Sequence, residues 1–313
     1  MIGAFKQILL AAAGIVKGGV AGYFGGGSIS GGRQATVDKF AFSDDTRTTL
    51  GTGLSVATNS LAAMANSGVA GYFGGGYVST GATSTVNKFA FPADTRTVLG
   101  AGLSPGVYIP AGMANSGVAG YIAGGTDGSN YYTDVQRFAF PGDTRTTLGT
   151  GLSAINGGLG GMANSGVAGY FGGGSRYPNY YTTVDKFAFP GETRTTLGTG
   201  LSIGRDGLTG MADSGTAGYF AGGYQSGGPT LATVDKFAFP GDTRTTLGTG
   251  LSTAVMYPAG MANFGVAGYV GGGYGSAYMT TVDKFTFPGD TRTTLATGLS
   301  TAAGYLAGMA DNG

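Results

Sequence analysis

Few side chains in this sequence of 313 residues could carry out chemistry. It contains no histidine and no cysteine, so the commonest general base, the commonest metal ligand and all thiolate chemistry are missing. Of the 16 acidic residues, most recur at a fixed place in a repeat, as Asp143 and Asp242 do ahead of Thr-Arg. Such repetition indicates a structural use in turns or charge pairs. We therefore predict a non-enzymatic protein with no metal site and no cofactor.

The remaining motifs with chemical potential are weak. Asp127, Asp134 and Asp206 stand outside the repeated acids but form no pair of the kind that glycoside hydrolysis requires. Asp127–Asn130 is too short for a calcium-binding loop. Gly25–Gly27 has the composition of a phosphate-binding loop, but no helix follows it and the motif recurs six times. A hydrolase is therefore the least favoured reading.

The balance of charge argues against two classes of partner. The chain has 17 basic and 16 acidic residues, a net charge of +1, and only 11% charged residues. This composition provides no basic surface of the kind that binds nucleic acids or acidic membranes. We expect no nucleic-acid partner.

A stretch of glycine and tyrosine, represented by Gly117–Gly125, recurs six times. A fixed period of this size indicates a repeat architecture. We take residues 18–313 as one repeat domain and residues 1–17 as an N-terminal extension. The tyrosines of the stretch are spaced 49, 49, 49, 49 and 50 residues apart and are Tyr23, Tyr72, Tyr121, Tyr170, Tyr219 and Tyr269.

Four segments of one repeat have the composition of β-strands. They are strand A (Ala111–Asn115), strand B (Val118–Ala123), strand C (Asp134–Phe140) and strand D (Thr144–Leu148). The C–D connection, Phe140–Asp143, has the composition of a type II turn with Gly at positive φ. One meander leaves both of its faces uncovered, whereas six meanders around an axis cover one another. The sequence predicts an all-β fold, a six-bladed β-propeller with four antiparallel strands per blade.

The order of the strands predicts how the ring closes. The first strand B has no strand A before it, and the last strand A, within Tyr305–Asn312, has no strand B after it. We expect this C-terminal strand to complete blade 1, which hides an exposed sheet edge. Each strand A carries a methionine, and we expect these flexible side chains to pack between blades. They are Met64, Met113, Met162, Met211, Met261 and Met309.

The repeat resembles a known family. A double glycine after a tyrosine-containing strand, followed by an aromatic residue in the next strand, resembles the Kelch repeat from about Gly18 onward. Kelch repeats usually carry tyrosine and then tryptophan in their last two strands, whereas this chain has Phe138 and Arg145 near those places. The segments Gly-Tyr-Phe-Gly-Gly-Gly, Thr-Val-Asp-Lys-Phe and Asp-Thr are more similar to Kelch-like arrays of tailed-bacteriophage proteins. This resemblance implies a β-propeller that belongs to a phage particle.

The turns divide into two groups. Because the strands alternate in direction, the A–B and C–D turns lie on one face of the disc, and the B–C and D–A loops lie on the other. The A–B turns are nearly constant, as in Asn66–Gly68 and Asn115–Gly117, and we call their side the constant face. The B–C and D–A loops all differ, and we call their side the tyrosine face.

The loops of the tyrosine face are the candidate binding site. Tyrosine, serine, glycine and asparagine are typical of recognition loops, in which rigid rings supply contact area at low entropy cost. Free drift of loop sequences is the alternative reading, but drift alone should also have loosened the constant face. The candidate contact residues are Tyr77, Tyr108, Tyr131, Tyr132, Arg176, Tyr177, Tyr180, Tyr181, Arg205, Tyr224, Tyr257, Tyr274 and Tyr278.

The N-terminal extension has the pattern of a short amphipathic helix. A secretory leader is disfavoured, because Lys6 and Gln7 interrupt the apolar run and no positive charge precedes it. The extension is too short to span a bilayer. It could pack on the end of its own propeller or dock on a neighbouring subunit. The apolar docking residues are Ile2, Phe5, Ile8 and Leu9.

Together these features lead to one hypothesis and two alternatives. We expect a phage virion protein from the tail, a fibre or a capsid decoration, present in many copies. Its tyrosine face would bind a host-surface glycan or a neighbouring virion protein. The alternatives are a purely structural decoration, whose loops touch only neighbouring subunits, and an intracellular Kelch-type adaptor.

Overall fold

The structure is a computed structural model that describes residues 20–311, and all regular secondary structure in this range is β-strand. Most strands form six large sheets, each built on four antiparallel strands, around a common axis, and two further sheets have only two short strands each. The predicted six-bladed β-propeller is confirmed. The predicted docking residues Ile2, Phe5, Ile8 and Leu9 lie outside the described residues.

Each blade runs from strand A at the axis to strand D at the rim. Blade 1 consists of β29 (Ala307–Ala310), β1 (Ala21–Gly25), β4 (Val37–Ala41) and β5 (Arg47–Thr49). Blade 2 consists of β6 (Ala62–Asn66), β7 (Ala70–Gly74), β10 (Val86–Ala90) and β11 (Thr95–Val98). Blade 3 consists of β12 (Ala111–Asn115), β13 (Ala119–Ala123), β14 (Val135–Ala139) and β15 (Thr144–Thr147).

The second half of the chain repeats this order. Blade 4 consists of β16 (Gly157–Asn164), β17 (Ala168–Arg176), β19 (Val184–Ala188) and β20 (Thr193–Thr196). Blade 5 consists of β21 (Thr209–Asp213), β22 (Ala217–Ala221), β23 (Val234–Ala238) and β24 (Thr243–Thr246). Blade 6 consists of β25 (Ala259–Asn263), β26 (Ala267–Gly271), β27 (Val282–Thr286) and β28 (Thr291–Thr294). The short strands β2 (Ser28–Ile29), β3 (Gly32–Arg33), β8 (Tyr77–Val78), β9 (Gly81–Ala82) and β18 (Asn179–Tyr180) lie in B–C loops.

The ring closes between the two ends of the described chain. Strand β29 pairs antiparallel with β1, and Tyr23 lies opposite Met309. The N–H of Val20 donates to the Asp311 carboxylate at 3.0 Å, and the N–H of Asp311 donates to the carbonyl of Ala21 at 3.0 Å. The prediction that the C-terminal strand completes blade 1 is confirmed.

Methionine and glycine fit together between neighbouring blades. A Cβ at Gly169 of strand B would overlap the Met113 sulfur of the preceding blade, and Phe189 would lie 3.2 Å from it. Glycine therefore leaves the space that the thioether fills. Each of the six strand A methionines is no more than 4% exposed, so the predicted inter-blade packing is confirmed.

A tyrosine clamp joins each blade to the next. The Tyr219 hydroxyl donates to Asp290 Oδ1 at 2.7 Å, and Lys236 Nζ donates to Asp290 Oδ2 at 2.6 Å. The Tyr219 ring stacks on Phe287 with centroids 5.4 Å apart. The six clamps are Tyr23–Asp94, Tyr72–Asp143, Tyr121–Glu192, Tyr170–Asp242, Tyr219–Asp290 and Tyr269–Asp45.

A second repeated acid, in strand C, anchors the D–A loop that enters its blade. Asp283 Oδ2 accepts from the N–H and the hydroxyl of Ser252 at 2.7 and 2.9 Å, and its Oδ1 accepts from Thr294 at 2.6 Å. Asp38, Asp185 and Asp235 make the same bonds in their own blades. These repeated acids are structural, as their repetition indicated.

The C–D turn differs from the predicted type II turn. Positive φ lies at Asp143, at 55°, rather than at Gly142, and the Phe140–Pro141 peptide bond is cis. Aspartate tolerates this left-handed conformation better than most residues. Its carboxylate is held there by the hydroxyl of Tyr72 and the ammonium of Lys88, both from the preceding blade. The turn is therefore shaped by an inter-blade bond that its own composition does not reveal.

Candidate functional site

The six D–A loops converge on the propeller axis in a closed ring of hydrogen bonds. In each blade the residue four positions ahead of the repeated methionine has φ between 51° and 70°. Its N–H donates to the carbonyl of the corresponding residue in the preceding blade, at 2.5–2.8 Å. We call this set the axial ring. Its members are Ser60, Ile109, Gly158, Gly207, Tyr257 and Tyr305.

Two aromatic side chains fill the mouth of the axis. The rings of Tyr257 and Tyr305 stack with centroids 4.0 Å apart. The Tyr257 ring lies over Gly207, where a Cβ would be 2.9 Å from it, and its hydroxyl reaches toward Gly158. The two glycines therefore provide the room for this ring. Burial is the main cause that raises the pKa of Tyr257 and raises the pKa of Tyr305 to about 12. Neighbouring groups, among them the Asp206 carboxylate, raise both pKa values further.

A buried carboxylate lies beside this aromatic pair. Asp206 is 9% exposed, and its Oδ2 accepts from the Ser175 hydroxyl at 2.6 Å. Burial raises the pKa of Asp206, and hydrogen bonds from Ser175, its own backbone and Tyr257 partly oppose this rise. The cavity along the axis below has a volume of about 90 Å³. That space holds only a few water molecules, so a ligand of the size of a sugar ring or larger does not fit inside the axis.

The predicted contact tyrosines lie on the tyrosine face, where the loops meet. The B–C and D–A loops of one blade bond to each other there, as Thr126 does with Tyr108 at 2.8 Å. Several rings pack edge-to-face and so fix one another's orientation. The pairs are Tyr77–Tyr108 at 5.1 Å, Tyr180–Tyr224 at 5.9 Å and Tyr274–Tyr278 at 5.1 Å.

Blade 4 carries the most exposed aromatic residue of the described chain. Strand β17 has nine residues, against five in the strand B of every other blade, and its end pairs with β18. The tip of this hairpin presents Arg176 and Tyr177, both exposed, and Tyr177 is 82% exposed. Tyr180 and Tyr181 follow it and are half-buried. The blade 4 hairpin therefore presents the most accessible aromatic ring of the described residues.

The B–C loop of blade 3 is held rigid by its own aspartate. Asp127 accepts from the N–H groups of Ser129 and Asn130 at 2.7 Å and from the Tyr132 hydroxyl at 2.5 Å. The Tyr132 bond and the backbone bonds hold the pKa of Asp127 well below its usual value. Asp127 therefore shapes the loop that presents Tyr131.

Arg205 does not belong to the exposed contact surface. Its side chain is fully buried, and it pairs with Asp235 at 3.1 Å. Burial lowers the pKa of Arg205, and the Asp235 charge opposes this effect. Its place in a loop that differs between blades suggested a contact residue. However, Val107 and Val255 precede the strand A methionines of their own blades by the same number of residues as Arg205 does, and both are buried too. Arg205 is a core residue and is removed from the candidate contact set.

Two residues of the tyrosine face were missed by the sequence reasoning. Tyr305 belongs to the axial ring and stacks on Tyr257. The sequence contains a signal for this position, because Tyr305 precedes Met309 by as many residues as Tyr257 precedes Met261. The Arg33 guanidinium lies 4.8 Å from the centre of the Tyr77 ring. This contact joins two adjacent blades, and nothing in the period of the repeat indicates it.

Residues 20–311 lack two kinds of feature. No group of three or more acidic side chains there is placed to hold a metal ion. No helix in the same range has the length and hydrophobicity of a membrane span.

Comparisons with known proteins support the architecture. No protein-family model matches the chain, and no curated protein matches it. The chain is similar to a solved structure described as "Structure of YjhT", with a TM-score of 0.65 and 14% sequence identity. The alignment covers 80% of this chain and 87% of that chain. At this identity the similarity shows the shared fold alone.

Proposed function

We propose that this protein is a non-enzymatic binding protein of a bacteriophage particle, and that its tyrosine face binds carbohydrate on the host surface. The observation that carries the proposal is that the tyrosine-rich loops, whose sequences differ from blade to blade, all lie on one face. The opposite face is built from nearly constant turns. A surface that recognises a ligand needs such a concentration of rigid rings, whereas a scaffold does not.

The chemistry of the face fits sugars better than charged ligands. Tyrosine rings offer flat apolar surfaces that can pack against the C–H groups of a sugar ring, and their hydroxyls can bond to its hydroxyls. Asn130, Asn179 and Gln225 lie in the same loops and add amide donors and acceptors. Arg176 is the exposed charge at the hairpin tip. The surface is therefore aromatic and polar with little net charge.

The place in a phage particle is supported by the resemblance of the repeat segments to Kelch-like arrays of tailed-bacteriophage proteins. In this view the chain is a component of a tail, a fibre or a capsid decoration and is present in many copies. A neighbouring virion protein is the second partner that the tyrosine face would suit. A purely structural decoration is the alternative in which the loops touch only such neighbours.

Replacement of Tyr177 by alanine is expected to weaken glycan binding about tenfold, because an exposed aromatic contact is worth roughly 1.4 kcal/mol. Tyr181→Ala is expected to act in the same direction. The measurement is binding of the full chain to a glycan array, with Val118→Thr on the constant face as the matched control. A blank array for the unchanged protein, together with binding to an isolated particle protein, would favour the structural alternative.

A further inference from the structure

One buried acid at the axis mouth has no counter-charge among residues 20–311. No lysine or arginine nitrogen in this range lies within 4.0 Å of the Asp206 carboxylate. By contrast, the acid of each of the six clamps lies 2.6–2.7 Å from a lysine or arginine nitrogen. A buried charge without a partner is costly, so a cation from outside the chain would stabilise Asp206. The strand C acids, which have an arginine nitrogen at 3.1–3.7 Å, are Asp38, Asp185, Asp235 and Asp283.

The fold does not need this charge. Asp206 precedes Met211 by as many residues as Asn59 precedes Met64. Asp206 Oδ2 accepts from the hydroxyl of Ser175 in the preceding blade at 2.6 Å, and Asn59 Nδ2 donates to the corresponding serine, Ser28, at 2.5 Å. A neutral amide therefore joins two blades at the position where blade 5 has a carboxylate. The remaining blades have Tyr108, Gly157, Met256 and Gly304 there.

Phenol groups from four blades lie near this carboxylate. A Cβ at Gly158 of the axial ring would lie 3.2 Å from the Asp206 Cβ and 3.4 Å from the Tyr257 hydroxyl, so the two side chains meet there. Burial raises the pKa of Tyr180, and the Asp206 charge is the next cause. Aromatic rings beside a carboxylate are typical of sites that bind an ammonium group. The half-buried tyrosines of this cluster are Tyr131, Tyr180, Tyr257 and Tyr305.

We propose that the axis mouth binds a protonated amino group of the carbohydrate, with Asp206 as its counter-charge and the rings of Tyr180 and Tyr257 beside it. This inference rests on the proposed carbohydrate binding and specifies the class of sugar, an amino sugar whose amine is not acetylated. The ammonium group supplies the missing charge and donates charge-assisted hydrogen bonds, which are about twice as strong as neutral ones. The amino group is small enough to enter the mouth while the sugar ring stays on the tyrosine face.

Matched oligosaccharides test this assignment. The probes are oligomers of glucosamine and of galactosamine, each with free amines and in the N-acetylated form. The full chain is expected to bind one free-amine oligomer at least about tenfold more tightly than its acetylated form in calorimetry, because acetylation removes the charge. Asp206→Asn, which introduces the residue that blade 2 has at this position, should abolish the preference. Asp134→Asn, which removes a half-buried acid ahead of β14 in blade 3, should preserve it.

The outcomes that would overturn the proposal are distinct. One is equal binding of the free and acetylated forms of both sugars, and another is a preference that survives Asp206→Asn. A lysine oligomer that competes as well as the amino sugar would show a general attraction for cations and would also overturn it.

A stability measurement separates binding from a structural role of Asp206. Asp206→Asn should unfold at the same or a higher denaturant concentration than the unchanged protein, because it removes a buried charge that has no counter-charge. Strong destabilisation would show that the carboxylate supports the fold, and would overturn the proposal. Glycan binding that depends on Tyr177 but shows no amine preference would refute this inference and leave the proposed function intact. A blank glycan array would refute both.

Discussion

Raising the pH from 9 to 11 is expected to lower the free energy of unfolding by about 8 kcal/mol, because six tyrosines hold their protons in the folded state. Burial, and then the hydrogen bond to a carboxylate, raises the pKa of each clamp tyrosine well above its ordinary value. In the unfolded chain these phenols ionise near pH 10. The stabilisation is therefore complete below pH 10 and is lost as the pH rises above it.

The measurement is denaturant unfolding at several pH values, together with phenolate absorbance in the near ultraviolet. Tyr219→Phe removes one of the six titrating groups and should reduce the loss between pH 9 and 11 by about 1.4 kcal/mol. Clamp tyrosines that ionise near pH 10 while the protein stays folded would contradict the assignment.

Asp235→Ala is expected to lower the free energy of unfolding by about 3–5 kcal/mol, because it leaves the guanidinium of Arg205 buried without its partner. Both side chains of the pair are fully buried. Burial opposes the charge on Asp235, yet the Ser202 bonds and Arg205 keep its pKa below the usual value. The carboxylate is therefore the counter-charge that allows Arg205 to be enclosed.

Asp283→Ala is the matched control for this prediction. Asp283 makes the same serine and threonine bonds in blade 6, but Val255 stands there in place of the buried arginine. Its loss should cost about 2 kcal/mol less than that of Asp235, since it removes hydrogen bonds and a partly exposed ion pair with Arg292 but leaves no buried charge without a partner. Arg205→Val should leave stability within about 1 kcal/mol of the unchanged protein or raise it. A strongly destabilised Arg205→Val would show that the guanidinium itself supports the blade.

The architecture could be predicted from the sequence because its signals repeat. Six copies of one unit with strand-like segments have few ways to bury their faces, and the missing strands at the two ends indicate which strand completes blade 1. Methionine in strand A and glycine in strand B likewise recur together. Their contact, as between Met113 and Gly169, follows from blade stacking.

The details of the candidate site were harder to predict because they depend on contacts between blades. Asp143 takes the left-handed conformation to reach Tyr72, which is 71 residues away in the chain. Arg205 lies in a polar loop whose sequence differs between blades. That its side chain points into the core can be inferred only when Arg205 is aligned with Val107, which holds the same position relative to the repeated methionine. Alignment on the repeated methionine would have placed Arg205 in the core and Tyr305 beside Tyr257.

Oriented immobilisation tests most directly whether the tyrosine face is the binding face. Because the chain has no cysteine, Val167→Cys allows coupling through the constant face, and Ser226→Cys allows coupling through an exposed loop of the tyrosine face. The protein that is coupled through Val167→Cys is expected to bind the same carbohydrate that the free protein binds on the glycan array. The protein that is coupled through Ser226→Cys should lose most of this binding. Binding that survives only in the Ser226→Cys orientation, or that is equal in both, would contradict the account.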